Sequence, residues 1–370
     1  MRYCSRCILP DTRPGLVIEE DGVCNACKFH ASRPTIDWDA RKLLFQQVVE
    51  NARARSAGYD CLIPVSGGKD SIWQTATCLE HGLKPLCVTW KPPLRTDLGR
   101  HNLNCLVNLG VDHIDYQISP AVEKKFLLKA LERFGAPGAP MHMAIFSISL
   151  RLAVQFDIPL IVWGENSAFE YGGAKEESTG FAMTDAWLEK HGVTHGTTAE
   201  DWVGPELSRK DLTPYYRPAI QELKGISAVF LGYYFPWDPT TSLLAAKKAG
   251  FRVREEGPRL GLYNYADIDD YFISVHHWLK WYKFGITRLF DNLSLEIRNG
   301  RMTRQQAIET LHSMGEQRPK SDIDMFCEFV GISREYFFQT AEKFRNVDIW
   351  KKRGHTWVIE DFLIPDWAWD

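Results

Sequence analysis

The sequence predicts an α/β protein built on a doubly wound parallel sheet, with a small cysteine-bearing unit ahead of it and a helical region behind. Three observations carry this expectation. Short apolar runs alternate with helical stretches between residues 61 and 163, and repeated strand–helix–strand units close into a parallel sheet with right-handed crossovers. Two C-x2-C pairs stand near the N-terminus. From Asp267 onward the apolar spacing is helical. At 370 residues the chain exceeds the usual ceiling for one core. The expected units are residues 1–35, 36–260 and 261–370.

Composition excludes several classes. Apolar content of 45% and charged content of 25% are those of an ordinary globular protein. A net charge of −3 and a pI near 6.4 give no electrostatic case for nucleic acid. No stretch approaches the ~18 uninterrupted apolar residues of a membrane span. The opening Met1-Arg2-Tyr3-Cys4 has no apolar core of a secretory signal. A cytoplasmic location is therefore expected, with the nine cysteines as thiols or metal ligands rather than disulfides.

Taken in order, Cys4-Ser5-Arg6-Cys7 and Cys24-Asn25-Ala26-Cys27 are separated by sixteen residues, close to the four-cysteine zinc spacing. Each pair offers two thiolates to one tetrahedral ion. Pro10, Asp11, Gly15 and Asp21-Gly22 read as a hairpin that brings the pairs together. Cys4, Cys7, Cys24 and Cys27 are the expected ligands of a structural Zn²⁺ in a zinc ribbon, because four protein ligands close the coordination sphere. Unrelated reduced thiols are the plain alternative, and two pairs at this separation rarely arise by chance.

Residues 37–57 read as an amphipathic helix ended by Gly58. Cys61 to Val65 is the first strand, followed at once by Ser66-Gly67-Gly68-Lys69-Asp70-Ser71 and a helical stretch to Glu80. Two glycines let the backbone turn with positive φ and approach a ligand closely. The N–H groups of the turn and first helical turn then face outward at the positive end of the helix dipole, which makes an anion cradle suited to phosphate. Ser66 and Ser71 add hydroxyls, and Asp70 adds a carboxylate able to hold Mg²⁺ beside phosphates. Ser66, Asp70 and Ser71 are the catalytic candidates. A serine-capped Gly-Gly turn is the plainer reading, but five fixed positions in a strand–loop–helix setting favour the cradle.

Lys84 to Lys91 and His113 to Ile118 read as further strands, with helices over 97–109, 121–134 and 141–156. Ile158 to Trp163 shows no alternation, as expected of a parallel strand covered on both faces. Ligands of such sheets bind beyond the C-terminal strand ends. Trp90 and Gly164-Glu165-Asn166 lie there and join the loop as nucleotide-binding candidates. Glu170, Tyr171, Gly172 and Gly173, just beyond, are substrate candidates. Thr96, Arg100 and Asn102 serve a nucleotide or sugar as readily as a solvated helix face.

Residues 174–226 lack clear periodicity and read as an insertion or lid. Val229 to Phe235 reads as a strand, and Thr241 to Ala249 as a helix. Thr303 with Gln306 forms a capping box. His276 and His277 point about 100° apart on a helix, so at most one faces a given site, and a core or surface place is the expectation for each.

Together these motifs resemble the N-acetyl sugar amidotransferases of bacterial surface-polysaccharide and nonulosonic-acid biosynthesis, a branch of the PP-loop ATP pyrophosphatases. The loop matches S-G-G-x-D-S. The resemblance also rests on Cys4-x-x-Cys7-Ile8-Leu9-Pro10-Asp11-Thr12, Gly164-Glu165-Asn166 with Glu170 to Gly173, Lys283-Phe284-Gly285 to Arg288, Glu296 to Gly300 and Met302-Thr303-Arg304. It implies an adenine nucleotide alpha hydrolase-like fold and ATP, Mg²⁺ and structural Zn²⁺ as cofactors. The implied reaction turns the N-acetyl group of a nucleotide-linked sugar into an acetamidino group. This chain carries no glutaminase signature, and the resemblance implies ammonia from a separate class I glutaminase with a cyclase-like barrel partner. A PP-loop tRNA thiolation enzyme is the nearest alternative, disfavoured by the acidic balance and the absence of further C-x-x-C cysteines. A module that only senses nucleotide is a third, disfavoured by the intact Asp70.

Overall fold

The first core strand has no apolar alternation because both of its faces are covered. In the computed structural model, which describes residues 1–173, 180, 182, 194–365, 367 and 369, Cys61 and Ile63 pack on one side of the sheet and Leu62 on the other. The sheet is fully parallel. Its strands are β1 (Cys61–Pro64), β2 (Pro85–Trp90), β3 (Asp112–Tyr116), β4 (Leu160–Trp163) and β5 (Ser227–Phe230), in the spatial order β3-β2-β1-β4-β5. The chain runs outward from β1 through β2 to β3, then returns to β4 on the other flank. The order therefore reverses at β1, and the crevice between the ends of β1 and β4 is the switch point where such sheets bind ligands.

Helices α1 (Asn25–Ala31) and α2 (Trp38–Arg55) precede the sheet. Helix α2, capped by Asp37 on the Ala40 N–H at 2.9 Å, lays Phe45 and Val49 on one face of the sheet. Helix α3 (Lys69–Glu80) packs there too, and α4 (Asp97–Val107) follows β2. Helices α5 (Pro120–Phe134) and α6 (Ala139–Gln155) cover the opposite face. Residues 199–215 pack on that side as well, where Trp202, Leu207, Leu212 and Tyr215 are buried and Ser147 Oγ donates to the Tyr215 carbonyl at 2.7 Å. Most of residues 174–193, where the expected lid begins, lie outside the described residues.

Helix α7 (Ser167–Tyr171) follows β4. The expected strand over Val229 to Phe235 is corrected. It ends at Phe230, and Leu231–Tyr234 coils into the short helix α8. Gly232 explains the turn: its N–H donates to the Gly164 carbonyl at 3.1 Å, and a Cβ there would lie 3.2 Å from Glu165 Cα. Helix α9 (Pro239–Lys248) then packs along α3.

Beyond a loop come α10 (Phe272–Trp278), α11 (Lys280–Phe284), α12 (Arg288–Arg298), α13 (Arg304–Met314), α14 (Lys320–Val330) and α15 (Arg334–Glu342). The helical expectation needs one amendment, since β6 (Trp350–Arg353) and β7 (Thr356–Ile359) form an antiparallel hairpin. Its Trp350 and Ile359 share a buried cluster with α12, α13 and the cysteine unit. No described helix is long and apolar enough to cross a membrane.

Candidate active site

The loop after β1 closes on itself through its serines. Ser71 Oγ accepts from the Ser66 N–H at 3.0 Å, and Ser66 Oγ accepts from the Gly68 N–H at 3.2 Å. Gly67 takes φ +85°. Gly68 is the N-cap of α3 and offers no side chain to the first turn, whose first intrahelical bond runs from Ile72 N–H to the Gly68 carbonyl. The N–H groups of Lys69, Asp70 and Ser71 precede that bond, so they stand at the positive end of α3 free to receive an anion.

Asp70 does not hang loose. Its Oδ2 pairs with Lys69 Nζ at 2.5 Å, and its Oδ1 accepts from Trp237 Nε1 at 2.8 Å. The Lys69 ammonium is buried between the rings of Trp237 and Tyr265, 5.4 and 5.7 Å from their centroids. Glu165, across the crevice at the end of β4, is pushed up to about 7, by burial first and then by the charge of Asp70.

Two lobes open beside the loop, and both are lined by Ser66, Asp267 and Asp269. One, of 260 Å³, is walled by Val65, Val88, Trp90, Ile148 and Trp163. Trp90 is fixed there by Nε1 donating to Glu123 at 3.0 Å, a carboxyl that burial pushes up to about 8. The other, of 190 Å³, is lined by Lys69, Asp70, Glu165, Tyr171, Trp237, Tyr263, Tyr265 and Arg288. The first suits a flat apolar ring system. The second suits a polar, charged group.

The irregular segment from Tyr263 to Asp270 roofs both lobes, and the sequence reading missed it. Asp267 sits at φ +53°, an αL position that Asp tolerates. Burial alone would raise its pKa, but Arg288 at 3.2 Å and His277 at 3.6 Å hold it well below the usual carboxylate range. His277 thus faces the site, whereas His276 turns away and accepts the Gly138 N–H at 3.2 Å. An acid- and tyrosine-rich run between helices, Tyr263-x-Tyr265-x-Asp267-x-Asp269-Asp270, was the available signal, because loops on rigid scaffolds carry binding groups.

The other expected site residues divide. Ser66, Gly68, Lys69, Asp70, Ser71, Trp90, Glu165 and Tyr171 line the lobes. Thr96 and Asn102 spend their side chains on structure. Thr96 caps α4 at the Gly99 N–H, 2.8 Å away, and Asn102 clasps the backbone of Arg252 at 3.0 and 2.8 Å. Arg100 is exposed and pairs with Asp97 on its own helix. Glu170 is buried in an ion pair with Arg33, and its carbonyl accepts from Arg298 at 2.9 Å. The Gly173 carbonyl accepts from Asn25 at 3.0 Å, and Gly172 lies against Gly15. Asn166 is buried at the end of β4. Glu170, Gly172 and Gly173 therefore tie the end of β4 to the cysteine unit.

That unit brings its four thiols together. All lie within 4.8 Å of one another, with Cys7–Cys24 at 3.7 Å and Cys4–Cys27 at 4.0 Å. Zn–S bonds of about 2.3 Å at tetrahedral angles require S–S separations near 3.8 Å, so the set fits zinc. Backbone N–H groups of Cys7 and Cys24 point at Cys4 Sγ, at 3.5 and 3.3 Å. Helix α1 carries Cys27, and only isolated bridges, Tyr3–Pro10 and Ile18–Cys24, join the rest, so the unit is less strand-rich than a ribbon. Metal analysis should give about one zinc per chain, lost when Cys4 and Cys24 are both replaced by serine. A metal-free protein, or zinc retained in that variant, would refute the assignment.

Fold and site define an α/β protein whose glycine-turned helix N-terminus lies at the switch point of a parallel sheet. Residues 262–362, which supply the roof and the helices behind it, match the family described as LPS biosynthesis protein WbpG-like, C-terminal domain. The segment's similarity is thus to proteins of lipopolysaccharide biosynthesis. No match is found among curated proteins.

Proposed function

We propose that the chain is an ATP-dependent amidotransferase that converts a sugar N-acetyl group, on a nucleotide-linked sugar, into an acetamidino group. One observation carries the reading: the S-G-G-x-D-S loop and the segment similar to lipopolysaccharide-biosynthesis proteins wall the same cavity. In this reading the loop is a PP-loop. Adenine lies in the apolar lobe against Trp90 and Trp163, and the β and γ phosphates lie on the N–H groups of Lys69 to Ser71. The acceptor amide enters the polar lobe.

An amide oxygen is a poor leaving group, so it must first be activated. The oxygen attacks the α-phosphorus, the bond to the β-phosphate oxygen breaks, and pyrophosphate leaves with the electron pair. Charge grows on the departing pyrophosphate, and preorganised N–H donors with Lys69 nearby stabilise it without reorganisation. Ammonia then adds to the imidate carbon and AMP departs. A Mg²⁺ carried by the ATP phosphates would neutralise charge there, with Asp70 and Glu165 as the carboxylates within its reach. The zinc is structural, since all four of its ligands come from the protein.

All nine cysteines are buried, which leaves the tRNA thiolation alternative without an accessible sulfur carrier. The test combines ATP, ammonium and a panel of nucleotide-linked N-acetyl sugars. Mass spectrometry should find a product in which NH has replaced O, together with AMP and pyrophosphate. Absence of any such product across the panel, or sulfur transfer to tRNA, would overturn the reading.

Nitrogen supply gives a further expected result. The purified chain should use ammonium and ignore glutamine, and its rate should rise from neutral to alkaline pH as the NH₃ fraction grows. Glutamine should become a donor only with a separate class I glutaminase and its barrel partner. Amidine formed from glutamine by the chain alone would contradict this.

A further inference from the structure

The cavity holds several carboxylates, and their neighbours set them apart. Asp70 is engaged by Lys69 and Trp237, and Asp267 by Arg288 and His277. Asp270 accepts the Phe272 N–H at 3.0 Å. Glu165 lines the polar lobe alone, whereas Asp269 lines both lobes, at the junction marked by Ser66. Its carboxylate has no hydrogen bond or ion pair to another side chain among the described residues.

Its backbone, by contrast, is pinned. The Asp269 carbonyl accepts the Thr96 N–H at 3.0 Å, and Thr96 Oγ1 donates to the carbonyl of Ile268. Gly99 lies so close that a Cβ there would sit 2.6 Å from Asp269 Cα. The first turn of α4 thus serves as an anvil for this one residue. A fixed backbone with an uncommitted carboxylate at the meeting point of two lobes is a group held ready for a reacting molecule.

We propose that Asp269 is the catalytic base of the amination step, taking the proton that the attacking ammonia must lose. The inference rests on the amidotransferase reading. As the nitrogen lone pair forms its bond to the imidate carbon, one N–H proton passes to the Asp269 carboxylate. The C–O bond to AMP then breaks, and AMP leaves with that electron pair. Asp267 is a poor base, because Arg288 and His277 stabilise its ionised form. Burial, followed by the nearby charge of Asp267, pushes Asp269 up to about 6, against the opposing pull of its own backbone N–H and of Arg95 and Arg259. Lys69, Asp70, Glu165, Tyr171 and Arg288 face the same space from α3, the loop after β4, α7 and α12, and Tyr263, Tyr265 and Asp270 line it from Asp269's own segment. Two carboxyls two residues apart are thereby tuned to different work.

The test separates the two half-reactions. In Asp269→Asn, a single-turnover burst of pyrophosphate should persist, while amidine formation falls on the order of 10²–10⁴-fold. At constant free NH₃ the wild-type amidine rate should rise with pH through an apparent pKa near 6, because the base works deprotonated. That limb should vanish in Asp269→Asn and return in Asp269→Glu. An unchanged amidine rate in Asp269→Asn, an equal loss of burst and amidine, or an acid limb that survives the substitution would overturn the proposal. A wild-type chain that forms no amidine at all would instead overturn the amidotransferase reading and this inference with it.

Discussion

Asp70→Ala should lower ATP-dependent pyrophosphate release by on the order of 10²–10³-fold, the usual cost of removing one preorganised electrostatic group from a transition-state site. Two effects add. The carboxylate that stands beside the cradle disappears, and Lys69, buried and paired with Asp70 at 2.5 Å, loses its counter-charge. A buried ammonium without a partner is costly, so the lysine is expected to leave its place between Trp237 and Tyr265. Asp70→Asn separates the contributions. It keeps an acceptor for the Trp237 indole, now 2.8 Å from Oδ1, but removes the charge. Ser66→Ala should also be severe, because Ser66 Oγ accepts the Gly68 N–H inside the loop. Pyrophosphate release by a coupled assay, with circular dichroism to confirm the fold, decides the matter. Near-normal turnover in Asp70→Ala and Ser66→Ala would rule out an active loop.

Gly67→Ala should damage the loop more deeply than Gly68→Ala, although the two positions are neighbours. Gly67 has φ +85°, and a Cβ there would lie 2.7 Å from Leu103 N and 2.8 Å from its Cα. Those are backbone atoms of α4, and α4 is clamped by Thr96 and Asn102. The methyl group has no room and the φ is unfavourable for any L-residue with a side chain, a combined penalty on the order of 1–3 kcal/mol. Gly68 is extended, at φ −67°, and a Cβ there meets only the Ser66 hydroxyl at 3.2 Å, a contact that a small shift of that side chain relieves. Thermal unfolding should show a clear fall in Tm for Gly67→Ala, with loss of the stabilisation that ATP confers. Gly68→Ala should unfold nearly as the wild type does. Equal stability and equal ATP response in the two variants would contradict the geometry.

The parts of this molecule that were legible in the sequence are those where one local rule dominates. The shape of the loop could be read because Gly-Gly between a β-type run and a helix lets the chain turn with positive φ into the helix N-terminus. The four cysteines could be read because metal ligation demands spacing. The central strands β1, β2 and β4 could be read because burial on both faces removes polar residues. The run from Val229 to Phe235 failed for a related reason. Periodicity cannot separate a short buried strand from a buried helical turn, and contact with Gly164 and Glu165 decided it. Thr96 and Asn102 look alike as ligand groups and as caps, and only the neighbouring backbone assigns them. The roof from Tyr263 to Asp270 follows no period at all. Its side chains converge on the cavity because α4, α10 and α12 hold its two ends, which no local pattern encodes.

The cysteine unit has one more consequence, and it concerns how the chain reaches this state. Thr12 Oγ1 donates to the Phe284 carbonyl across 272 residues, and Arg13 pairs with Asp291 across 278. Arg304 returns the contact by donating to the Cys7 carbonyl at 3.1 Å. The first thirty residues leave the ribosome early, yet the surface they dock on is made only after nearly three hundred more have been added. Contacts this distant in sequence close slowly and late. During synthesis the apolar residues of the cysteine unit that pack toward α12 and α13, Ile8 and Leu9 among them, lack the surface that covers them in the folded chain. The early segment therefore reaches its final packing only when the late helices arrive to cover it.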